Sequence, residues 1–149
     1  MNKENVLNFK DFLSTLKLNK FDREIRAAII TNSVLAKKVV KDFEETVQEA
    51  RARYTEGLSA EFVLLNVYRE KIKNANAADK TVIAEECVRD CANALKAEQD
   101  FTTYVLSLQK EEVKEEFVKI DKDLFVDQCV DGDIDITAAL LETMNGLFN

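Results

Sequence analysis

The sequence contains no proline and no histidine, and only three glycines, Gly57, Gly132 and Gly146. Without proline, no position forbids a continuing helix. The glycines fall where helices would stop or start rather than inside apolar periodic stretches. The missing histidine removes the commonest general base and the commonest metal ligand. No apolar run approaches the ~18 residues that a membrane-spanning helix requires. Tryptophan is absent too, and no glycine-rich phosphate-binding loop occurs.

What is present suits amphipathic helices. The 149 residues fit a single domain, with 46% hydrophobic and 33% charged residues. That apolar share is too high for intrinsic disorder. Three cysteines, Cys87, Cys91 and Cys129, form an odd set with no secretory leader before them, which argues for free thiols in a reducing compartment. The net charge of −7 is uneven. Met1–Thr55 carries 11 basic against 8 acidic residues, and the remainder 10 against 20. An acidic second half disfavours nucleic acid as a partner and would suit a basic protein client.

Helical spacing organises most of the chain. Val6, Phe9, Leu13 and Leu16 predict a short helix over Glu4–Leu18, with Leu18-Asn19-Lys20 as a joint. From Phe21 to Thr55 apolar positions recur every three or four residues, predicting a helix on the order of 50 Å long. Gly57 is its expected stop and Ser59 the cap of the next helix. Phe62, Leu65, Tyr68 and Ile72 continue the pattern, which resumes with Ile83, Cys87, Cys91, Ala94, Phe101, Val105 and Leu108. Between them Asn74–Asp79 is less apolar, with Asn76 or Asp79 as a candidate new cap. One continuous helix is the favoured reading because no proline or glycine marks a break. The expected architecture is all-α: a long antiparallel helical hairpin over residues 1–108 with short terminal helices, then an acidic portion, 109–149. Near 117–121, Val118 and Ile120 alternate with Lys119 and Asp121. That pattern fits a short strand or extended arm and equally a helix ending. Asp133 or Asp135 is expected to cap a last helix, Ile136–Gly146.

The constellations with chemical potential are few. Asp127 to Ala138 can be aligned on a calcium-binding helix–loop–helix, with Asp127, Asp131 and Gly132 in place and Asp133 and Asp135 as further carboxylates. Cys129 replaces one oxygen ligand, and Ala138 stands where a bidentate glutamate is required. An acidic turn with a helix cap is therefore the expected role, and no metal or other cofactor is expected. Cys87 and Cys91 share a helix face but lack histidine to complete a zinc site, so they are read as small core residues. Glutamate pairs such as Glu85/Glu86 lack the Glu-x-x-His of a di-iron bundle. No catalytic residue is assigned. For partner binding the acidic-apolar segment is the first place to look, namely Phe117, Ile120, Asp121, Asp123 and Phe125.

The order of features is also informative. A short helix is followed by Leu16-Lys17-Leu18, a long helix closing in Arg53-Tyr54-Thr55-Glu56-Gly57, a second helical arm, and Glu116-Phe117-Val118-Lys119-Ile120 before an acidic tail. This layout resembles small uncharacterised helical-hairpin proteins of tailed bacteriophages, and a prefoldin-like hairpin chaperone shares the outline. The phage resemblance implies a virion or assembly component with no catalytic residues to carry over. The expectation is a non-enzymatic structural or assembly protein acting through helix-mediated contacts with protein partners or itself, without nucleic acid or membrane. It would be cytoplasmic, or in the virion if phage-encoded. The alternative is an adaptor or chaperone-like protein whose acidic C-terminal region engages a basic client.

Overall fold

A computed structural model describes residues 1–149 and is all-α: seven α-helices, two short 3-10 turns and no strand. The helices are α1 (Lys3–Thr15), α2 (Arg23–Thr55), α3 (Ser59–Asn74), α4 (Ala77–Asp90), α5 (Ala92–Gln109), α6 (Lys122–Asp131) and α7 (Ala138–Thr143). They build two compact units, one from Met1–Glu45 with Leu108–Asn149 and the other from Thr46–Ser107.

The first unit closes around the N-terminal helix. Asn2 caps α1 by accepting from the Asn5 amide, while Asn5 reciprocates to the Asn2 amide. Val6, Phe9 and Leu13 then fall on one buried face, as their spacing predicts. The Phe9 ring meets Phe117 edge-on at 6.0 Å, and Phe21 stacks on Phe125 at 5.6 Å. Each such ring, once buried, contributes about 2 kcal/mol from apolar area. Asp22 starts α2 by accepting from the Ile25 amide at 2.9 Å. Gln128 of α6 clasps the same residue: its Oε1 accepts from the Asp22 amide, and its Nε2 donates to Oδ2, both at 2.9 Å. These contacts hold the Asp22 carboxyl below the usual range, the Ile25 amide first among the causes and Gln128 next.

Residues 112–121 are neither strand nor helix. They run as an extended arm with two isolated bridges, Asn2 to Glu112 and Ile120 to Phe148. The strand expected near 117–121 does not form because no neighbouring strand supplies its ladder. Instead the buried side chain of Asn32, on α2, takes the place of a strand. Its Nδ2 donates to the Val118 carbonyl at 2.9 Å, and its Oδ1 accepts from the Val118 amide at 2.8 Å. The expected period-two pattern does not survive in the burial: Phe117 and Ile120, three residues apart, are inside, while Val118, two before Ile120, is outside.

The C-terminal helix departs from expectation. Thr137, not Asp133 or Asp135, caps α7, accepting from the Leu140 amide at 3.2 Å. The helix is correspondingly shorter than Ile136–Gly146, and a 3-10 turn, Asn145–Leu147, completes the chain. The two aspartates are displaced from the cap by an intervening turn, in which Asp133 adopts a positive φ of 55°.

In the second unit, Gly57 ends α2 in the left-handed conformation, φ 73°, as its position predicts. Ser59 is not the cap of α3 but its first residue, since Leu58 occupies the cap position without a side-chain hydrogen bond. The long second arm expected from Ser59 to Leu108 is three helices. The first break is at Ala75, which is extended, after which Asn76 caps α4 by accepting from the Asp79 amide at 2.9 Å. Helices α3 and α4 fold back on each other around Leu65, Tyr68, Cys87, Cys91 and Ala94. The second break is at Cys91, where the α5 N-terminus is capped from a distance: Glu61 of α3 accepts from the Ala94 amide. Arg69 grips Glu98 with both Nη atoms, at 3.0 and 2.6 Å.

Candidate functional site

The residues singled out for metal and partner binding divide sharply by burial. Phe117, Ile120 and Phe125 are core residues of the first unit, Phe125 fully enclosed. Their apolar surface is already spent on Phe9, Phe21 and Phe148, so they hold the segment in place rather than offering it to a partner. Asp121 caps α6 by accepting from the Leu124 amide at 2.9 Å. Of the five, only Asp123 combines exposure with a side chain not committed to the fold.

Asp127 and Asp131 lie within α6, and Asp133 and Asp135 follow it. A calcium loop needs its first five positions irregular, so that alternate side chains converge on one ion. Here a helix sets Asp127 and Asp131 four residues apart, and both project from its exposed side. No group of three His, Cys, Asp or Glu side chains is arranged to hold a metal ion. The three thiols are free and buried. Burial pushes Cys129 up to about 11 and raises Cys91, which also faces Cys87 and Glu61. Thiols so placed pack as small apolar side chains.

What the structure does present is helix surface. On α3, Val63 and Val67 are exposed by 65 and 45% on the side away from Leu65 and Tyr68, and Leu64, flanking Tyr68, by 39%. Val63 and Val67 line an open groove of about 740 Å³ with Asn66, Ala75 and Ile83. Lys71 and Glu70 flank it, the Lys71 ammonium lying 5.5 Å from the Tyr68 ring. Val82 on α4 is also 56% exposed. Single exposed apolar residues are ordinary, but three at helical spacing beside a groove make a continuous apolar face. Sequence reading missed this face because Phe62, Leu65, Tyr68 and Ile72 already supply a complete buried stripe. The remaining valines carry no mark of being surplus, although the run Phe62-Val63-Leu64-Leu65 is apolar all round.

Between α3 and the end of α4 a polar cluster is tightly held. Tyr68 donates its hydroxyl to Asp90 at 2.5 Å, and Arg89 donates to the same carboxylate at 2.8 Å. The Asp90 hydrogen bond, helped by burial, pushes the Tyr68 phenol up to about 12. Asp90 is drawn down to about 2, by Arg89 first and Tyr68 second.

The class these features define is an all-α protein with outward apolar helix faces; no helix is long and apolar enough to cross a membrane. Against protein-family models, curated proteins and solved structures alike, the chain finds no match.

Proposed function

We propose that the protein is a non-enzymatic structural or assembly component that works by presenting helix faces to protein partners. Following its resemblance in layout to tailed-phage proteins, we place it in a virion or its assembly. The observation that carries this reading is the unpartnered face of α3, where Val63, Leu64 and Val67 stand beside the α3–α4 groove. A helix inserted there would bury apolar area now facing water, the usual mode of helix-in-groove recognition. The test is site-specific photo-crosslinking from position 67 in the full chain, in cells where it is naturally made, with the partner identified by mass spectrometry. A structural or virion protein captured by the wild type, and lost in Val63→Glu, is expected. Capture confined to metabolic enzymes or nucleic acid would end the proposal.

A second reading is an adaptor that engages a basic client through its acidic C-terminal region. It is favoured by Asp123, Asp127 and Asp131, which are exposed on α6 and take part in no salt bridge. Truncating this region is not a clean test, because Leu108–Asn149 supplies much of the first unit's core. The charge reversal Asp127→Lys with Asp131→Lys leaves the core intact. Client binding unaffected by it would remove this reading.

A further inference from the structure

Two solvent-facing stripes of the first unit share a three-position pattern, one aliphatic followed by two charges, with the charges opposite in sign. On α2, the side opposite buried Ile25, Ala28, Ile29, Asn32, Ala36 and Val39 carries Ile30, Val34, Lys37 and Lys41. Ile30 is 48% and Val34 63% exposed, one helical turn apart on the same side. Arg23 and Arg26 lie towards the start of the helix, and Glu45 follows Lys41 one turn on. On α6, the side opposite buried Phe125 and Cys129 carries Leu124, Asp127, Val130 and Asp131. Leu124 is 42% and Val130 65% exposed.

The spacing is the same in both. Val34, Lys37 and Lys41 follow an i, i+3, i+7 pattern, and so do Leu124, Asp127 and Asp131. One parallel register therefore sets Val34 against Leu124, Lys37 against Asp127 and Lys41 against Asp131 at once. Within the chain these groups do not satisfy one another. Asp127 and Asp131 are in no salt bridge, and Lys41 reaches only Glu45 of its own helix, at 3.7 Å. In that parallel register, pairing α2 with α2 would oppose lysine to lysine, and α6 with α6 aspartate to aspartate. The charge pattern thus rejects like-with-like contacts and selects the unlike one.

We propose that the Val34/Lys37/Lys41 stripe of α2 docks on the Leu124/Asp127/Asp131 stripe of a second copy of the chain. Because the two surfaces differ and each occurs once per chain, a single contact leaves one stripe of each kind unfilled on the pair. Two copies can satisfy both stripes reciprocally, or the contact can propagate. The inference deepens the assembly reading above and rests on it, but uses a different surface from the α3 groove.

The test is light scattering of the full-length protein over a wide concentration range, at low and at about 0.5 M salt. Concentration-dependent association, weakened about tenfold by the higher salt, is expected. K37E/K41E and D127K/D131K should each weaken it at least about tenfold, since two charge pairs become repulsive. Circular dichroism should be unchanged in both, all four positions being exposed. The decisive arms are restorative. A 1:1 mixture of the two variants, and the chain carrying all four substitutions, should both regain association to within a few-fold of wild type. A monomer at every concentration, association indifferent to the reversals, or failure of the mixture to recover would each overturn the proposal. Crosslinking from position 67 separates the two ideas. A monomeric chain that still captures its partner through α3 refutes self-docking alone, whereas loss of that capture refutes the general reading.

Discussion

Among single residues, Asn32 has the largest structural consequence for its size. It sits in a periodic apolar series, and its polarity reads as a blemish until Val118 is seen against it. Its amide then accounts for a whole segment's conformation, because both backbone groups of Val118 depend on it. Asn32→Ala removes both hydrogen bonds and leaves a small void, and is expected to cost about 2–3 kcal/mol in urea denaturation. Faster amide exchange at Val118 should accompany it. A loss under about 0.5 kcal/mol would mean that water replaces the side chain without penalty.

The Tyr68–Asp90 pair makes a prediction about pH. Asp90 has its folded value lowered from 3.8 to about 2, so its contribution is full above about pH 4 and is lost as pH falls through about 2. Tyr68 is raised from 10.0 to about 12, so its contribution is full below about pH 10 and is lost as pH rises through about 12. In an ultraviolet titration, Tyr68 should ionise near 12, and Asp90→Ala should bring it down towards the ordinary phenol range. An unchanged phenol in that variant would show that burial, not the carboxylate, raises it.

At the level of elements, legibility followed whether the signal was local. Helices α1 and α2 were visible because spacing alone places Val6, Phe9, Leu13 and the long α2 stripe on one side. Gly57 was visible because only glycine takes the left-handed backbone at a helix end without strain. A Cβ at Gly57 would touch nothing within 4 Å, so Gly57→Ala should cost about 1 kcal/mol from backbone strain alone, measurable by thermal melting. The break at Asn76 was half legible: a cap was in view, but the absence of proline and glycine argued for continuity.

The break at Cys91 had no local mark. It depends on Glu61, which caps the start of α5 by accepting from the Ala94 amide thirty-three residues further on. Glu61→Ala is expected to cost about 1 kcal/mol and to fray the first turn of α5, seen as lost amide protection from Ala92 to Leu95. The candidate site was legible only in part for the same reason. Phe117, Ile120 and Phe125 were chosen for being apolar beside acids, but whether such residues face inward is decided by distant partners. Asp123 was legible because charge on a helix almost always means solvent.

For the molecule as a whole, the unequal cores of the two units decide where stability lies. The first unit encloses 18 buried core residues, the α3–α4 cluster of the second only five. The second unit also leaves Val63, Leu64, Val67, Val82, Val88 and Leu106 exposed, whereas Leu65 and Tyr68 are the large side chains that the cluster buries. Its remaining cohesion comes from the Tyr54 ring against Phe101 and Tyr104, and from polar contacts, such as Arg69–Glu98, that are partly open to water and weakened by salt. Native-state hydrogen exchange should therefore find α3 and α4 opening at lower free energy than α1 and the first half of α2. A partner seated on the α3 face would add apolar burial where the protein has least. Its binding should slow exchange in α3 and α4 most, by a factor that grows with partner concentration. Self-association through α2 and α6 should instead protect the first unit and leave α3 unchanged. Exchange measured across a dilution series, with and without partner, thus reads the two contacts separately. Uniform protection of both units by either treatment would argue against two distinct surfaces.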